Sequence, residues 1–251
     1  MQTKLNIILL QHTPLPENII AMGARLCYSK SHIEELEDKV CSKDQTSFVQ
    51  KIMDMGHDSV LEHVTFTFGI EGVSRVLLAQ LTRHRMASFS VQSQRYVSYE
   101  NGFGYVIPPS IKALGDDAVH DYEHQMEQMH QWYVDWQKRL GSTGEGSNED
   151  ARFVLPGACE TRLMMTMNVR ELRHFFSLRM CNRAQWEIRQ MATEMHRLCM
   201  EVTPALFYDA GAPCLSGQCP EGEKSCGKAR QIRKERCQML DEFREAQGED
   251  D

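Results

Sequence analysis

The sequence has no long apolar stretch. Stretches such as Leu5–Leu10 are far shorter than the roughly 20 residues that a membrane-spanning helix needs, and no basic segment followed by an apolar core opens the chain. The pattern therefore argues against a membrane protein and against a secretory leader. We expect a cytoplasmic protein with no membrane partner.

A basic excess is also missing, since the net charge of the 251 residues is -7. General nucleic-acid binders usually carry a basic surface, so no nucleic-acid partner is expected. No Gly-x-Gly-x-x-Gly fingerprint marks a separate dinucleotide-binding domain. Arginine is nevertheless bunched, which favours a small anionic ligand; the clustered residues are Arg83, Arg85 and Arg95, then Arg162, Arg170, Arg173, Arg179, Arg183 and Arg189.

The nine cysteines lack the short Cys-x-x-Cys pair of common zinc sites. An odd count without framework spacing excludes a disulfide scaffold, and most of these thiols are expected to be reduced and buried. Four cysteines near the end of the chain leave a thiolate metal site open as an alternative, but no metal ligands are predicted; they are Cys214, Cys219, Cys226 and Cys237.

Hydrophobic periodicity predicts mixed strands and helices without regular alternation, which is typical of the α+β class. The predicted strands are Leu5–Gln11 and Val64–Ile70. The predicted helices are Glu17–Tyr28, Ser47–Met55 with Gly56 as its stop, Val73–Thr82, His120–Leu140, Val169–Leu178 and Ala184–Val202. The stretch 158–167 fits either strand or helix, and Gly141–Asp150 is predicted to be a mobile loop. We expect a folded body over residues 1–210 and a cysteine-containing, charged C-terminal extension over 211–251.

The most informative segment runs from Arg83 to Tyr96 and follows an apolar helix. Its arginines can bind phosphate in a bidentate manner, its serines and glutamines can complete an anion site, and its aromatic rings can stack on a base. This mixture suits a nucleotide. A solvated charged loop that caps the helix is the alternative from composition alone.

The spacing of this segment identifies a family. Arg83-His84-Arg85, seven residues and then Ser93 resembles the signature of the flavin-dependent thymidylate synthases, and Gln80 and Arg95-Tyr96 match its extended form. The resemblance covers roughly residues 5–208. It implies that residues 1–210 form a single domain with a central antiparallel or mixed sheet, assembled as a homotetramer with sites shared between subunits.

Three further segments carry the resemblance. His57–His63 resembles the family's His-x-Ser/Thr-x-x-Glu-His segment. From the residues alone, Ser59 and Glu62 form a capping box at a helix start, and a metal site from His57, Glu62 and His63 is a weaker alternative. Asn168–Ile188 resembles the block Asn-x-Arg … Leu-Arg … Ala-Gln-x-Glu-Ile, and Arg152 begins an Arg-x-x-Leu-Pro element.

The resemblance implies a set of binding roles. FAD would contact Ser59, Arg83, His84, Arg85, Asn168, Arg170 and His174, and deoxyuridylate (dUMP) would contact Gln80, Arg83, Gln92, Ser93, Gln94, Arg95, Arg152 and Arg179. Arg179 would be catalytic. Many members carry Asn-Glu where this chain has Ser90-Val91, so one carboxylate contact to ligand is absent.

The implied reaction is the methylation of dUMP to dTMP, with methylenetetrahydrofolate as carbon donor and NADPH as reductant of the FAD. Ser93 would position the substrate rather than attack it, since no neighbouring base is evident in the sequence. Two rival functions also account for the arginines: an RNA-binding or nucleotide-sensing module, and a flavoprotein reductase without methyl transfer.

Overall fold

The computed structural model describes residues 1–141 and 144–247. Residues 142 and 143 of the predicted loop and 248–251 of the predicted extension lie outside it. The described chain divides into two compact units, one formed by residues 1–10 and 67–166 and the other by residues 11–66 and 167–251.

The strands are β1 (Asn6–His12), β2 (Thr65–Ser74), β3 (Ala87–Val91) and β4 (Glu160–Asn168). They form one antiparallel sheet in the order β1-β2-β4-β3. The helices are α1 (Pro16–Leu26), α2 (Ile33–Cys41), α3 (Thr46–Asp54), α4 (Arg75–Leu81), α5 (Pro109–Lys112), α6 (Asp116–Arg139), α7 (Glu145–Ala151), α8 (Val169–Arg179), α9 (Trp186–Val202), α10 (Pro204–Phe207) and α11 (Ala229–Gln247). Short 3₁₀ turns lie at Asp58–His63, Arg152–Val154, Pro213–Leu215 and Gly222–Lys224. The α+β prediction is confirmed.

In the first unit, the two central strands alternate between a buried and an open face. Leu163 and Met165 of β4 are buried, whereas Arg162 and Met164, which alternate with them, are exposed. A second core lies around α6, where Tyr133 is fully buried among Tyr99, Phe103 and other apolar side chains. Gly72 is required because it has φ of 73° and a Cβ there would lie 2.0 Å from the carbonyl oxygen of Lys4.

In the second unit, α1 packs against α2 and α3, and α9 packs against α8 and α10. Fully buried aromatic rings fill the centre of this unit. Phe176 makes edge contacts with Phe207 and with His196, at centroid distances of 5.9 and 5.3 Å. Gly56, with φ of 75°, follows the end of α3 as the sequence predicts.

Several sequence predictions need correction. Residues 145–150 of the predicted loop belong to helix α7, which ends at Ala151. Helix α4 begins at Arg75, because Val73 and Ser74 complete β2 and the Ser74 hydroxyl caps the helix. Helix α2 was not predicted at all. The undecided stretch 158–167 is strand β4 from Glu160 onward.

The cysteine prediction is confirmed only for the thiol state. All nine cysteines are free, but just three are buried: Cys159, Cys199 and Cys214. Within residues 1–141 and 144–247, no helix is long and apolar enough to cross a bilayer.

Candidate functional site

The Arg83–Arg85 segment directly follows α4, a helix anchored by buried Leu77 and Leu81. His84 points inward and is 6% exposed, so its two neighbours are turned out to solvent. In the described part of the chain, the guanidinium groups of Arg83 and Arg85 have no hydrogen-bond or ion-pair partner. Two arginines at the end of an anchored helix, with guanidinium groups free to donate hydrogen bonds, suit an anionic ligand.

The segment after β3 is held by backbone bonds. The Gln92 amide donates to the Arg162 carbonyl at 2.9 Å, and the Gln92 carbonyl accepts from Arg75 Nη2 at 2.8 Å. The Ser93 hydroxyl accepts from the Arg95 amide at 3.2 Å. No basic side chain contacts that hydroxyl within the described residues, so the geometry gives Ser93 no general base.

Two glutamines of the predicted substrate set make weak side-chain contacts. Gln94 Nε2 lies 3.6 Å from the sulfur of Cys159, and Gln80 Nε2 lies 3.5 Å from the carbonyl of Val76. Burial raises the pKa of the Cys159 thiol to about 11. This cysteine therefore stays protonated at neutral pH and is unsuited to act as a nucleophile.

Helix α7 organises Arg95 and Arg152. Arg95 Nη2 lies 2.8 Å from Glu145 Oε1 and 3.2 Å from Glu149 Oε2. Arg152 Nε donates to the Glu149 carbonyl at 3.0 Å. The structure thus brings these two predicted substrate residues to the same short helix. The Nε of Arg95 is buried and has no partner among the described residues.

Asn148 is a positioning residue that the sequence analysis missed. Its amide nitrogen donates to the Arg95 carbonyl at 2.9 Å, and its side-chain oxygen accepts from Gln137 at 2.6 Å and from the Tyr133 hydroxyl at 3.2 Å. Asn148 and Gln137 are each 2% exposed. No local signal pointed to a helix here, because Glu145 and Glu149 are like charges four residues apart, which disfavour an isolated helix.

In the second unit, the family segment 57–63 packs against α8. Arg170 Nη1 and Glu62 Oε1 form an ion pair at 2.5 Å although 108 positions separate them. The capping-box prediction is wrong, because no side chain caps this 3₁₀ turn and the Glu62 carboxylate contacts Arg170 instead. Ser59 is exposed on the same turn.

The residues predicted on α8 occupy both of its ends. Asn168 caps the helix, its side-chain oxygen accepting from the Glu171 amide at 2.8 Å, and exposed His174 lies one turn beyond Arg170. Half-buried Arg179 is the last helical residue, about 16 Å along the axis from Asn168 at a rise of about 1.5 Å per residue. Arg179 therefore lies at the opposite end of the helix from Asn168 and Arg170, and His174 lies between them.

The turn after Arg179 is fixed by two side chains. Arg189 Nη1 donates to the Asn182 carbonyl at 2.9 Å, and the Gln185 side chain accepts from the amides of Glu187 and Ile188, both at 3.1 Å. The Ala-Gln-x-Glu-Ile element thus starts α9 and sets the break after α8, as the sequence predicts.

Cys181, which precedes the predicted extension, interacts with the cysteines near the end of the chain. Burial raises the pKa of the Cys214 thiol, and Cys219, Cys181 and Cys226 add to this rise. Across residues 1–141 and 144–247, no group of three or more His, Cys, Asp or Glu side chains has the arrangement of a metal site.

Known proteins share the sequence over most of its length. Residues 8–205 match the family described as "Thymidylate synthase complementing protein". The chain is 51% identical over 231 residues to the flavin-dependent thymidylate synthase of Geobacter sulfurreducens, covering 92% of this chain and 97% of the relative. The enzyme of the same name from Nitratidesulfovibrio vulgaris is 46% identical over 90% of this chain and 96% of its own. That of Clostridium tetani is 43% identical over 90% and 94%. On these matches, the chain belongs to the flavin-dependent thymidylate synthase family.

Proposed function

We propose that the protein converts dUMP to dTMP, with methylenetetrahydrofolate as carbon donor and NADPH-reduced FAD as hydride carrier. The family membership and the two unpaired arginines after α4 support this proposal. A chain of net charge -7 that leaves such cations open has a local affinity for anions, and both dUMP and FAD carry phosphate.

The proposed dUMP contacts come mainly from the first unit. Arg83 would bind the phosphate through its free guanidinium. Gln92 and Ser93 would orient the nucleotide from a loop whose backbone is already fixed by hydrogen bonds. Gln80, Gln94, Arg95 and Arg152 complete the proposed set, and Asn148 would hold Arg95 in place.

FAD would be held by Arg83, His84 and Arg85, together with Ser59, Asn168, Arg170 and His174. The donor set fits this cofactor, since exposed guanidinium groups complement a pyrophosphate. When bound, the flavin would supply the reducing equivalents that complete the methyl group. The chain's own part is to bind and orient the reactants.

Arg179 is the proposed catalytic residue. Its guanidinium would stabilise negative charge on the pyrimidine as N3 ionises, which is electrostatic stabilisation at a developing anion. The backbone that follows Arg179 is fixed by the bond from Arg189 to the Asn182 carbonyl, so the base of this side chain is held in place. This restriction suits a preorganised charge.

We also propose that the protein is a cytoplasmic homotetramer. The open face of the sheet supports self-association, since Ile8, Leu10 and Met164 expose 54%, 54% and 45% of their surface on it. Residues 1–210 would form the catalytic domain and 211–251 its extension.

Chromatographic detection of dTMP tests the proposed reaction. With protein that has been freed of bound flavin, the complete mixture should yield dTMP, and omission of FAD, of the folate or of NADPH should each abolish it. NADPH oxidation without dTMP would favour a flavoprotein reductase, and salt-sensitive RNA binding without flavin would favour an RNA-binding module.

The Arg179→Ala variant tests the catalytic role. Its turnover should fall about 100-fold or more, because loss of one such donor commonly has that cost, while the flavin absorbance of the purified protein is retained. Arg183→Ala is a matched control, because Arg183 lies in the turn that follows α8 and its guanidinium is already paired with Glu221. Normal turnover of Arg179→Ala would exclude the role.

A further inference from the structure

A cavity of about 580 Å³ lies within the second unit, between the end of α1 and helices α2 and α3. Its lining comes entirely from residues 24–52, so it contains none of the residues proposed above for FAD or dUMP. A volume of this size is within the range of small-ligand sites.

The lining of the cavity is cationic. Arg25, Lys39 and Lys43 contribute to it, and no acidic side chain does so within the described residues. Lys43 has no ion-pair partner in that part of the chain. Lys39 lies 3.9 Å from Glu35, but both side chains are well exposed, and such pairs are weak. In a protein with a net charge of -7, this cavity attracts anions.

Arg25 is held in a fixed position. The side chain of Gln45 is buried, with 3% exposure, and its Nε2 donates to the carbonyls of Val40 at 2.8 Å and Lys43 at 3.0 Å. These bonds direct its oxygen toward Arg25, whose Nη2 donates to it at 3.3 Å. The Arg25 guanidinium also lies 4.0 Å from the centre of the Phe48 ring. The Arg25 guanidinium is therefore positioned before any ligand arrives.

Hydroxyl groups and a further ring complete the cavity. Lys39 Nζ donates to the Ser31 hydroxyl at 2.8 Å, and the Ser29 hydroxyl accepts from the Ser31 amide at 3.1 Å. Tyr28 lines the opening and is 84% exposed. Cations with neighbouring hydroxyls fit a phosphate, and a guanidinium that stacks on Phe48 is suited to stack on a second flat ring.

We propose that this cavity binds the adenosine 2′-phosphate end of NADPH. The proposal rests on the proposed function for the identity of the reductant. Arg25 stacks on the adenine, and Lys39 and Lys43 bind the 2′-phosphate with help from the serine hydroxyls. The cavity would hold the 2′-phosphate apart from the residues proposed for FAD and dUMP.

Binding of adenosine 2′,5′-bisphosphate to the FAD-loaded full chain, measured by calorimetry, tests the proposal without turnover. The wild type should bind it at least tenfold more tightly than it binds AMP. Lys39→Gln and Lys43→Gln should each weaken this binding about tenfold, with AMP binding unchanged. Lys51→Gln is the matched control, because Lys51 is an exposed lysine of α3 that does not line the cavity.

Kinetics gives the second arm. The two lysine variants should raise the KM for NADPH about tenfold and leave the KM for NADH and for dUMP unchanged, so the preference for NADPH falls. Unchanged bisphosphate binding in both variants would overturn the proposal. Weakened binding of a pteroyl pentaglutamate with unchanged bisphosphate binding would also overturn it, since the cavity would then hold a carboxylate chain. Lysine-dependent bisphosphate binding in a protein that forms no dTMP would support the cavity assignment and contradict the proposed function instead.

Discussion

Two groups of arginines in this chain have opposite surroundings. Arg83 and Arg85 are exposed and lack a partner in the described residues, whereas Arg95, Arg170 and Arg173 each contact a carboxylate. A paired arginine contributes to the fold, and its charge is already compensated. An unpaired arginine gains its partner from solution. The comparison therefore separates arginines whose charge is already compensated, including the proposed ligand contacts Arg95 and Arg170, from arginines whose charge is open to a ligand.

Arg173, one of the paired arginines, belongs to a network of polar side chains with Asp209, His196 and Arg236. Arg173 makes a bidentate contact with Asp209 at 2.7 and 2.8 Å. Burial opposes ionisation of Asp209, but the Arg173 hydrogen bonds outweigh it and lower the pKa of that carboxyl. Arg236 of α11 donates to His196 at 3.0 Å and to the Ala210 carbonyl at 2.6 Å. Residues of the predicted extension thus contact this network.

The largest expected effect is acid destabilisation of the paired network. Burial, with the neighbouring Arg236 charge, lowers the pKa of His196 from 6.5 to about 4. The unfolded chain takes up a proton below pH 6.5 that the folded chain refuses, so stability present above that pH is lost between pH 6.5 and 4. A shift of this size corresponds to about 3 kcal/mol of unfolding free energy.

Urea unfolding at pH 7, 5.5 and 4 measures this loss. His196→Gln removes the titrating group and is the control. If the wild type and the variant lose stability in parallel over this range, His196 is not the cause.

The next effect concerns the unpaired group. Arg83→Ala should raise the Kd for dUMP roughly 30-fold, because a hydrogen bond to a charged group contributes about 2 kcal/mol. Its unfolding free energy should change by less than about 0.5 kcal/mol, since the side chain is exposed and unpaired. Equilibrium dialysis and urea unfolding check the two quantities. If Arg83→Ala lowered the unfolding free energy and left the Kd for dUMP unchanged, Arg83 would be a structural residue and not a dUMP contact.

Arg173→Ala should show the opposite behaviour. Asp209 then loses its partner, which should cost about 1.5 kcal/mol of unfolding free energy, with the Kd for dUMP unchanged. Arg197→Ala is the control, since its contacts with Glu194 and Glu201 are exposed and worth little. Equal losses of unfolding free energy in Arg173→Ala and Arg197→Ala would contradict this prediction, because the less exposed pair would then contribute no more than the exposed one.

The smallest expected effect comes from removing one of the two carboxylate contacts of a paired arginine. Arg95 is a proposed dUMP residue that is already paired, and Glu149→Gln removes one of its two carboxylates. The unfolding free energy should fall by only a few tenths of a kcal/mol, because the pair is half-exposed. Binding of dUMP, measured by dialysis, should tighten slightly as Arg95 becomes available. Weaker binding would show that Glu149 positions Arg95 for the ligand.

The sequence correctly predicted the helices and strands whose apolar residues repeat at a regular period. The alternating residues of β2 and the apolar spacing of α6 and α9 gave the right structure, because one buried face repeats at a fixed period. Helix α2 was missed since only Leu36 and Val40 are buried in it. Strand β4 was undecided because Leu163, Met164 and Met165 fit either period, and pairing with β2 and β3 resolves it.

The features that the sequence did not predict depend on contacts between residues that are far apart in the chain. Helix α7 is rich in residues of low helix propensity, and its Asn148 is held by Gln137 and Tyr133 of α6. Glu62 was assigned to a capping box, but its partner is Arg170. For the candidate site, the motif spacing indicated the residues and the family. Their individual roles stay predictions.

The most direct test of the account is tritium release from C5-tritiated dUMP. Wild type and Arg83→Ala are incubated with methylenetetrahydrofolate and NADPH, with and without FAD, and the tritium in water is counted. The account predicts release from the wild type that requires both FAD and the folate, and a large reduction in Arg83→Ala at unchanged stability. Release that needs neither FAD nor the folate, or no release from a protein that binds flavin, would contradict it.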